Sequence, residues 1–229
     1  MKKYVEISLS LSLIALLLTG CLDENNKSDV LYQDTPGTIR ISGSITYIEL
    51  DFLEVNLYPT NLAPAFWEDG DRVSVTFRID QSKQSGDKYW DDVSLLDIYK
   101  IPRKEIIEYS SDSVYSNDPI TEIQKKWITD NVLNFDIQFS CTNADKHKHT
   151  FDLIYDPSQL KSQPDMIVLT LNHNAFGDTE SSSNERLYYS FSLDKVIPFY
   201  EGKDSVVLKI EANALNPEKS EYVVYKFKR

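Results

Sequence analysis

The sequence predicts an all-β protein: a small OB-like barrel followed by an antiparallel β-sandwich. Three observations carry that expectation. Apolar and polar residues alternate with a period of two in nearly every segment after Pro36, the pattern of strands with one wet face. Turn residues punctuate these segments at short, regular intervals, as they do in barrels and sandwiches. Aromatic residues make up 12% of the chain against only 7 glycines, which suits ordered sheets with cross-strand aromatic packing.

Taken in order, Ile39, Ile41, Gly43, Ile45 and Tyr47 alternate with Arg40, Ser42, Ser44 and Thr46. They read as one long strand bent at Gly43. Leu53, Val55 and Leu57 give a second strand, and Val73, Val75, Phe77 and Ile79 a third, after the turn Glu68-Asp69-Gly70-Asp71. Gln81–Lys88 reads as a polar hairpin loop. Val93 and Leu95 are in one phase, Leu96 and Ile98 in the other, so a bulge is expected near Leu95-Leu96. One long strand and several shorter ones, with no clear amphipathic helix, fit a strongly bent barrel over residues 37–108. Tyr109–Asp118 is polar and marks the domain boundary, which leaves residues 109–229 for the sandwich.

The second half repeats the strand pattern. Leu133–Cys141 alternates, Asn143-Ala144-Asp145 is a turn, and Phe151, Leu153 and Tyr155 return. Met166–Leu171 is apolar on both faces apart from Thr170, as a central strand would be. Leu187–Leu193, Val206–Ala212 and Val223–Phe227 complete the set. Ile120–Ile128 is ambiguous in spacing and could form a short helix.

The N-terminus carries the sharpest signal. Lys2 and Lys3 precede an apolar run, Ile7–Leu18, that is too short to span a bilayer core of about 20 residues. Leu18-Thr19-Gly20-Cys21 then matches a lipobox. Residues 1–20 therefore read as a lipoprotein signal peptide, Cys21 as the acylated first residue of the mature form, and residues 21–36 as a flexible tether. Acyl chains on Cys21 would hold the protein on a membrane without any spanning segment. Leu22 stands where an inner-membrane retention aspartate would stand. The pair Asp23-Glu24 resembles a short acidic export tag, so the expected place is the outer membrane, on its periplasmic or exposed face.

Formal net charge is −12, and loss of residues 1–20 removes a net +1, leaving −13. Such a surface repels nucleic acid. With Cys21 acylated, Cys141 has no partner for a disulfide, and its phase with Phe135, Ile137 and Phe139 places it in a core.

Gly70-Asp71-Arg72-Val73, Asp97-Ile98-Tyr99-Lys100-Ile101, Asn117-Asp118-Pro119-Ile120, the alternating His149, Phe151 and Leu153, and His173-Asn174-Ala175-Phe176 with Asp178 follow one another behind the lipobox. In this order they resemble the NigD-like lipoproteins over essentially the whole mature chain. The resemblance implies an N-terminal OB domain, a C-terminal β-sandwich and a link to bacteriocin-associated genes. It carries no catalytic residues.

No glycine pair is spaced for a phosphate-binding loop, and GxSxG, HExxH, CxxC and EF-hand patterns are all missing. The chain is expected to be non-catalytic and without cofactor: a binding or accessory protein for an envelope protein, a peptide or a glycan. The alternative is a glycan- or peptide-acting hydrolase with a scattered carboxylate site. His147 and His149 lie two apart and would face one way on a strand, but the lysines beside them oppose a cation, so no metal is expected. Asp91-Asp92 and Asp69 with Asp71 read as solvated turns. Candidate ligand contacts are Trp67, which could stack on a sugar or plug the barrel, and His173, Asn174 and Asp178 at a strand-to-loop junction. Ser113 and Ser205, each between aspartate and valine, resemble O-glycosylation acceptors of the bacterial group to which the family belongs.

Overall fold

The alternation in the first half becomes five strands closed into a barrel: β1 (Asp29–Ser42), β2 (Ile45–Leu50), β3 (Asn56–Pro59), β4 (Arg72–Asp80) and β5 (Tyr89–Lys100). They are ordered β1-β2-β3-β5-β4, with β3 and β5 parallel and the other pairs antiparallel. The structure is a computed structural model, and it describes residues 29–84, 86, 88–142, 148–163, 165–178, 183–215 and 221–226. Ile39, Ile48, Leu57, Val73, Val75, Phe77 and Val93 are fully buried inside the barrel. These are the phases that the alternation assigned to the interior.

Three details of the barrel differ from the sequence expectation. Residues 29–36 are already strand rather than tether, because Val30 and Tyr32 pair with Ile79 and Phe77 and pack on the core. The Tyr32 and Phe77 rings stack at 4.9 Å. Gly43 does not bend a continuous strand. It sits at φ +63° in the two-residue tip joining Ser42 to Ile45, a conformation that glycine adopts without a Cβ clash. The tight approach is at Gly37, where an added Cβ would lie 2.8 Å from the Glu49 carbonyl oxygen. Leu53 belongs to a turn, and the third strand starts only at Asn56. The bulge expected at Leu95-Leu96 is present: Phe77 faces Leu95 while Thr76 faces Asp97, which leaves Leu96 as the extra, exposed residue.

The barrel ends at Lys100, and the chain enters the sandwich earlier than residue 109. β6 (Arg103–Glu105) pairs with β12 (Ser183–Ser192) in one sheet, and β7 (Ile107–Glu108) pairs with β10 (Thr150–Tyr155) in the other. Buried Ile106 lies at the crossing, so this strap closes the two sheets over the core. The first sheet runs β6-β12-β9-β8, with β8 (Glu122–Thr129) and β9 (Val132–Cys141). The second runs β14-β13-β11-β10-β7, with β11 (Met166–Asn174), β13 (Ser205–Ala212) and β14 (Glu221–Lys226). Most pairs are antiparallel, but β6/β12, β7/β10 and β11/β13 are parallel.

Ile120–Ile128 is not a helix. Most of it is β8, with a bulge between Ile123 and Lys125 opposite β9. The extra residue shifts the apolar phase and imitates helical spacing. A short helix, α1 (Pro157–Ser162), does occur elsewhere. Asp156 caps it by accepting from Ser158 N at 2.8 Å, and Pro157 opens it. Phe135, Phe139, Phe151 and Phe191 are fully buried between the sheets, and Cys141 packs among them. The turn expected at Asn143-Ala144-Asp145, His147 and the lipobox with Cys21 lie outside the described residues.

Candidate functional site

Two polar constructions stand out against this apolar background. One joins the barrel to the sandwich, and the other clamps the far end of the sandwich.

At the junction, the turn after β2 carries Asp51 and the start of β4 carries Arg72. Both side chains are almost fully buried, at 1% and 2% exposure. Arg72 Nη1 donates to Asp51 Oδ1 at 2.8 Å and to Thr38 Oγ1 at 2.6 Å, and its Nη2 pairs with Asp51 Oδ2. The same Asp51 oxygen accepts from Trp127 Nε1 on β8 at 2.5 Å, so one carboxylate ties the barrel to the sandwich. Arg40 repeats the link at the surface, bonding Glu49 within the barrel and Asp130 across the junction, each at 2.7 Å. Burial opposes the Arg40 charge, but these two hydrogen bonds outweigh it and hold its pKa above the ordinary guanidinium value. Tyr188 Oη donates to the Asp34 carbonyl at 3.0 Å, and the Phe52 and Trp127 rings meet at 4.9 Å. A cleft of about 540 Å³ opens beside Arg40 and Arg72, lined also by Arg103, Asp130, Asn131 and Asp194.

At the far end, β10 and β11 run antiparallel with Phe151 opposite His173. Alternation turns His149 and His173 inward, where they are 1% and 2% exposed. Each ring is bonded at both nitrogens. His173 Nδ1 lies 3.0 Å from the Pro119 carbonyl, and its Nε2 lies 2.9 Å from His149 Nδ1. His149 Nε2 lies 3.2 Å from Asp178 Oδ2, which also accepts from Thr142 N at 2.8 Å and Thr142 Oγ1 at 3.0 Å. A carbonyl can only accept, so His173 carries its proton on Nδ1 and accepts on Nε2. His149 must then donate from Nδ1, and its Nε2 faces Asp178 Oδ2. Burial first, and then the neighbouring His149, push the His173 pKa below 6.5 against the pull of the Pro119 carbonyl. Asp118 accepts from Ala175 N at 2.7 Å, and that bond above all holds its carboxyl below the ordinary range. Aromatic walls complete the clasp: the Phe151 ring stacks on His173 at 4.6 Å, and the Phe139 ring lies 4.7 Å from His149.

The structure thus brings His173 and Asp178 together, through His149. Asn174 stays outside the clasp and caps the turn that follows, accepting from Phe176 N at 2.9 Å. His149 lies inside the sandwich. Its phase with Phe151 and Leu153 already pointed inward. Asp118 and Pro119 gave no local sign of their part, because they come from a segment remote in sequence. Trp67 follows a 3₁₀ turn, Pro64–Phe66, and packs partly buried on the barrel core. Ser113 is exposed in the polar segment after β7, and Ser205 is the exposed first residue of β13. Among the described residues, no group of three or more His, Cys, Asp or Glu is placed to hold a metal, and no helix is long and apolar enough to cross a membrane.

Comparison with known proteins returns the same architecture. The model of the NigD-like C-terminal beta sandwich domain matches residues 103–225, starting at the strap β6. Among solved structures, a protein from Parabacteroides distasonis assigned as toxin-related is 21% identical. Its TM-score is 0.60 over 86% of this chain and 93% of that one. A NigD-like immunity protein from Bacteroides caccae is 16% identical, with a TM-score of 0.57 over 86% of this chain and 91% of that one. A protein from Bacteroides fragilis assigned as a lipoprotein is 15% identical, with a TM-score of 0.58 over 87% and 98%. At these identities the likeness is one of fold. No curated protein matches the sequence. The sandwich-domain match covers more than half of the chain, and the protein belongs to the NigD-like family.

Proposed function

We propose that this protein is a lipid-anchored envelope protein that acts by binding, as an accessory or immunity-type component, and not by catalysis. The observation that carries the reading is the state of the two described histidines. All four ring nitrogens are committed inside the fold, so neither ring offers a free lone pair to a substrate. The acids of the junction are engaged in the same way: Asp51 holds Arg72 and Trp127, and Asp130 holds Arg40. What remains is a cleft between two domains, the kind of place where proteins receive ligands. The names of the similar structures, one an immunity protein and one assigned as toxin-related, support an immunity-type role. The lipobox at Cys21 and the neighbour assigned as a lipoprotein support the anchor.

Labelled fatty acid fed to the native host tests the anchor. The wild-type chain should take up label and sediment with outer membranes, and Cys21→Ser should do neither. Capture from envelope extracts tests the binding role. The mature protein should retain a defined component that Arg103→Ala, in the cleft, no longer retains. Turnover of glycan or peptide substrates by the purified mature protein would refute the non-catalytic reading.

A further inference from the structure

The outer face of the barrel carries a row of tyrosines that neither the junction nor the clasp uses. Ile48 of β2 faces Leu57 of β3, and both are fully buried. Their neighbours Tyr47 and Tyr58 therefore lie on the opposite, outward face. Tyr89, at the start of β5, is paired with Asn56 and joins them there. The Tyr47 and Tyr58 rings stack with centroids 5.4 Å apart and planes 23° apart. Tyr58 and Tyr89 follow at 6.1 Å. Tyr89 is 54% exposed, so the row ends in a ring with an open face.

Beside that ring runs a groove of about 390 Å³. It is lined by Glu49, Asn56, Lys88 and Tyr89 on the barrel, and closed on the far side by Ile128 and Thr129 of the sandwich. Aromatic rings thus lie next to an amide, an ammonium and a carboxylate, which together donate and accept hydrogen bonds. Partial burial, and then the phenols of Tyr47 and Tyr89, push the Tyr58 pKa up.

We infer that the Tyr47–Tyr58–Tyr89 row and the adjoining groove form a binding site for a neutral oligosaccharide. A pyranose ring presents C–H groups on its face and hydroxyls around its edge. The tyrosine faces match the first, and Asn56, Lys88 and Glu49 match the second. A nucleic-acid base could use the same rings, but its phosphates would meet Glu49, Glu54 and Asp91 on a chain of net charge −12. Anionic glycans are repelled for the same reason. The assignment rests on the binding-protein reading above and gives it a ligand class and a place.

The test is affinity electrophoresis of the mature lipidated chain in detergent. Native gels are cast with amylopectin, mannan, arabinoxylan or mixed-linkage β-glucan, and polygalacturonate serves as the anionic control. At least one neutral polysaccharide should retard the chain, and polygalacturonate should not. Tyr89→Ala should weaken that retardation roughly tenfold or more, as loss of a stacking ring does, whereas Tyr89→Phe should stay near wild type. Because Tyr89 is half exposed, its truncation should leave the circular dichroism spectrum and melting curve unchanged. Tyr47→Ala, two rings further along the row, gives an independent reading of the same site. Retardation by none of the four, retardation only by polygalacturonate, or retardation that survives both alanine variants would each overturn the assignment. If envelope capture still succeeds in that case, the site falls and the binding role stands. If capture fails as well, both fall.

Discussion

Replacing Asp51 with alanine should be among the most damaging single changes in the barrel. Asp51 and Arg72 are a buried pair with side chains 1% and 2% exposed. Truncating the acid strands a guanidinium in the interior and leaves the Trp127 indole N–H without its acceptor. Breaking a buried pair from one side costs about 3–5 kcal/mol. For a chain of this size, 1 kcal/mol moves the melting temperature by about 2–4 °C, so the shift should be roughly 6–20 °C. Glu49→Ala is the internal control. It removes a partner of Arg40 at a position half open to water, where such pairs contribute about 0–1 kcal/mol. Urea unfolding of the mature protein, followed by tryptophan fluorescence, measures both. The double variant Asp51→Ala/Arg72→Met should recover much of the loss, because the uncompensated charge is gone. A cost for Asp51→Ala below about 1 kcal/mol, or no recovery in the double variant, would refute the junction as a buried electrostatic lock.

The clasp predicts a pH dependence. The folded-state pKa of His173 lies below 6.5, so the unfolded chain takes up the proton first as pH falls; stability should be full above about 6.5, decline below it, and level off under the folded value. Urea midpoints measured from about pH 7.5 to about pH 5 should show this slope, and His173→Gln should flatten it. Gly37→Ala should destabilise by about 1–3 kcal/mol, because its Cβ meets the Glu49 carbonyl at 2.8 Å and Ile48 Cγ2 at 2.9 Å; an unchanged urea midpoint would contradict this close approach. Mild proteolysis should cut within Ser110–Asn117, where Val114 is 98% exposed. The two fragments should stay together on a sizing column, since β6 and β7 precede the cut and pair within the sandwich. Ser113 is proposed as an O-glycan acceptor before Ser205, and peptide mass spectrometry of protein from the native host should show the added mass; an unshifted Ser113 peptide at full occupancy ends that proposal.

The fold was legible because strand period and burial are local properties. Val73, Val75 and Phe77 announce an inward face without any knowledge of what they touch, and structure puts each at 0% exposure. The Leu95-Leu96 bulge was legible for the same reason, since a change of phase is written in the sequence itself. Connections were harder. Nothing in Arg103–Glu108 says that this stretch leaves the barrel and crosses both sheets of the sandwich, because its pairing partners lie in β10 and β12, far along the chain. Local features also misled: one extra residue in β8 produces apolar spacing close to that of a helical turn, and Gly43 marks a hairpin tip where its alternating neighbours suggested one long strand.

Polar constructions were legible only as separate letters. His173 and Asp178 could be singled out because histidine and aspartate are scarce or conspicuous at a strand end. Their meaning depends on His149, Pro119 and Thr142, which no spacing rule connects to them. Asp51, Arg72 and Trp127 are a sharper case, because each belongs to a different element and looks like an ordinary turn acid, strand base and strand aromatic. The tyrosine row shows the opposite limit. Tyr89 joins Tyr47 and Tyr58 only because a parallel β3/β5 pair places the start of β5 beside β3, and parallel pairing leaves no hairpin signal to read. A binding face assembled by such a pairing stays invisible until the barrel is closed. For that reason the variants of Tyr89 and Tyr47, and not those of the conspicuous Trp67, are the decisive test of what this protein holds.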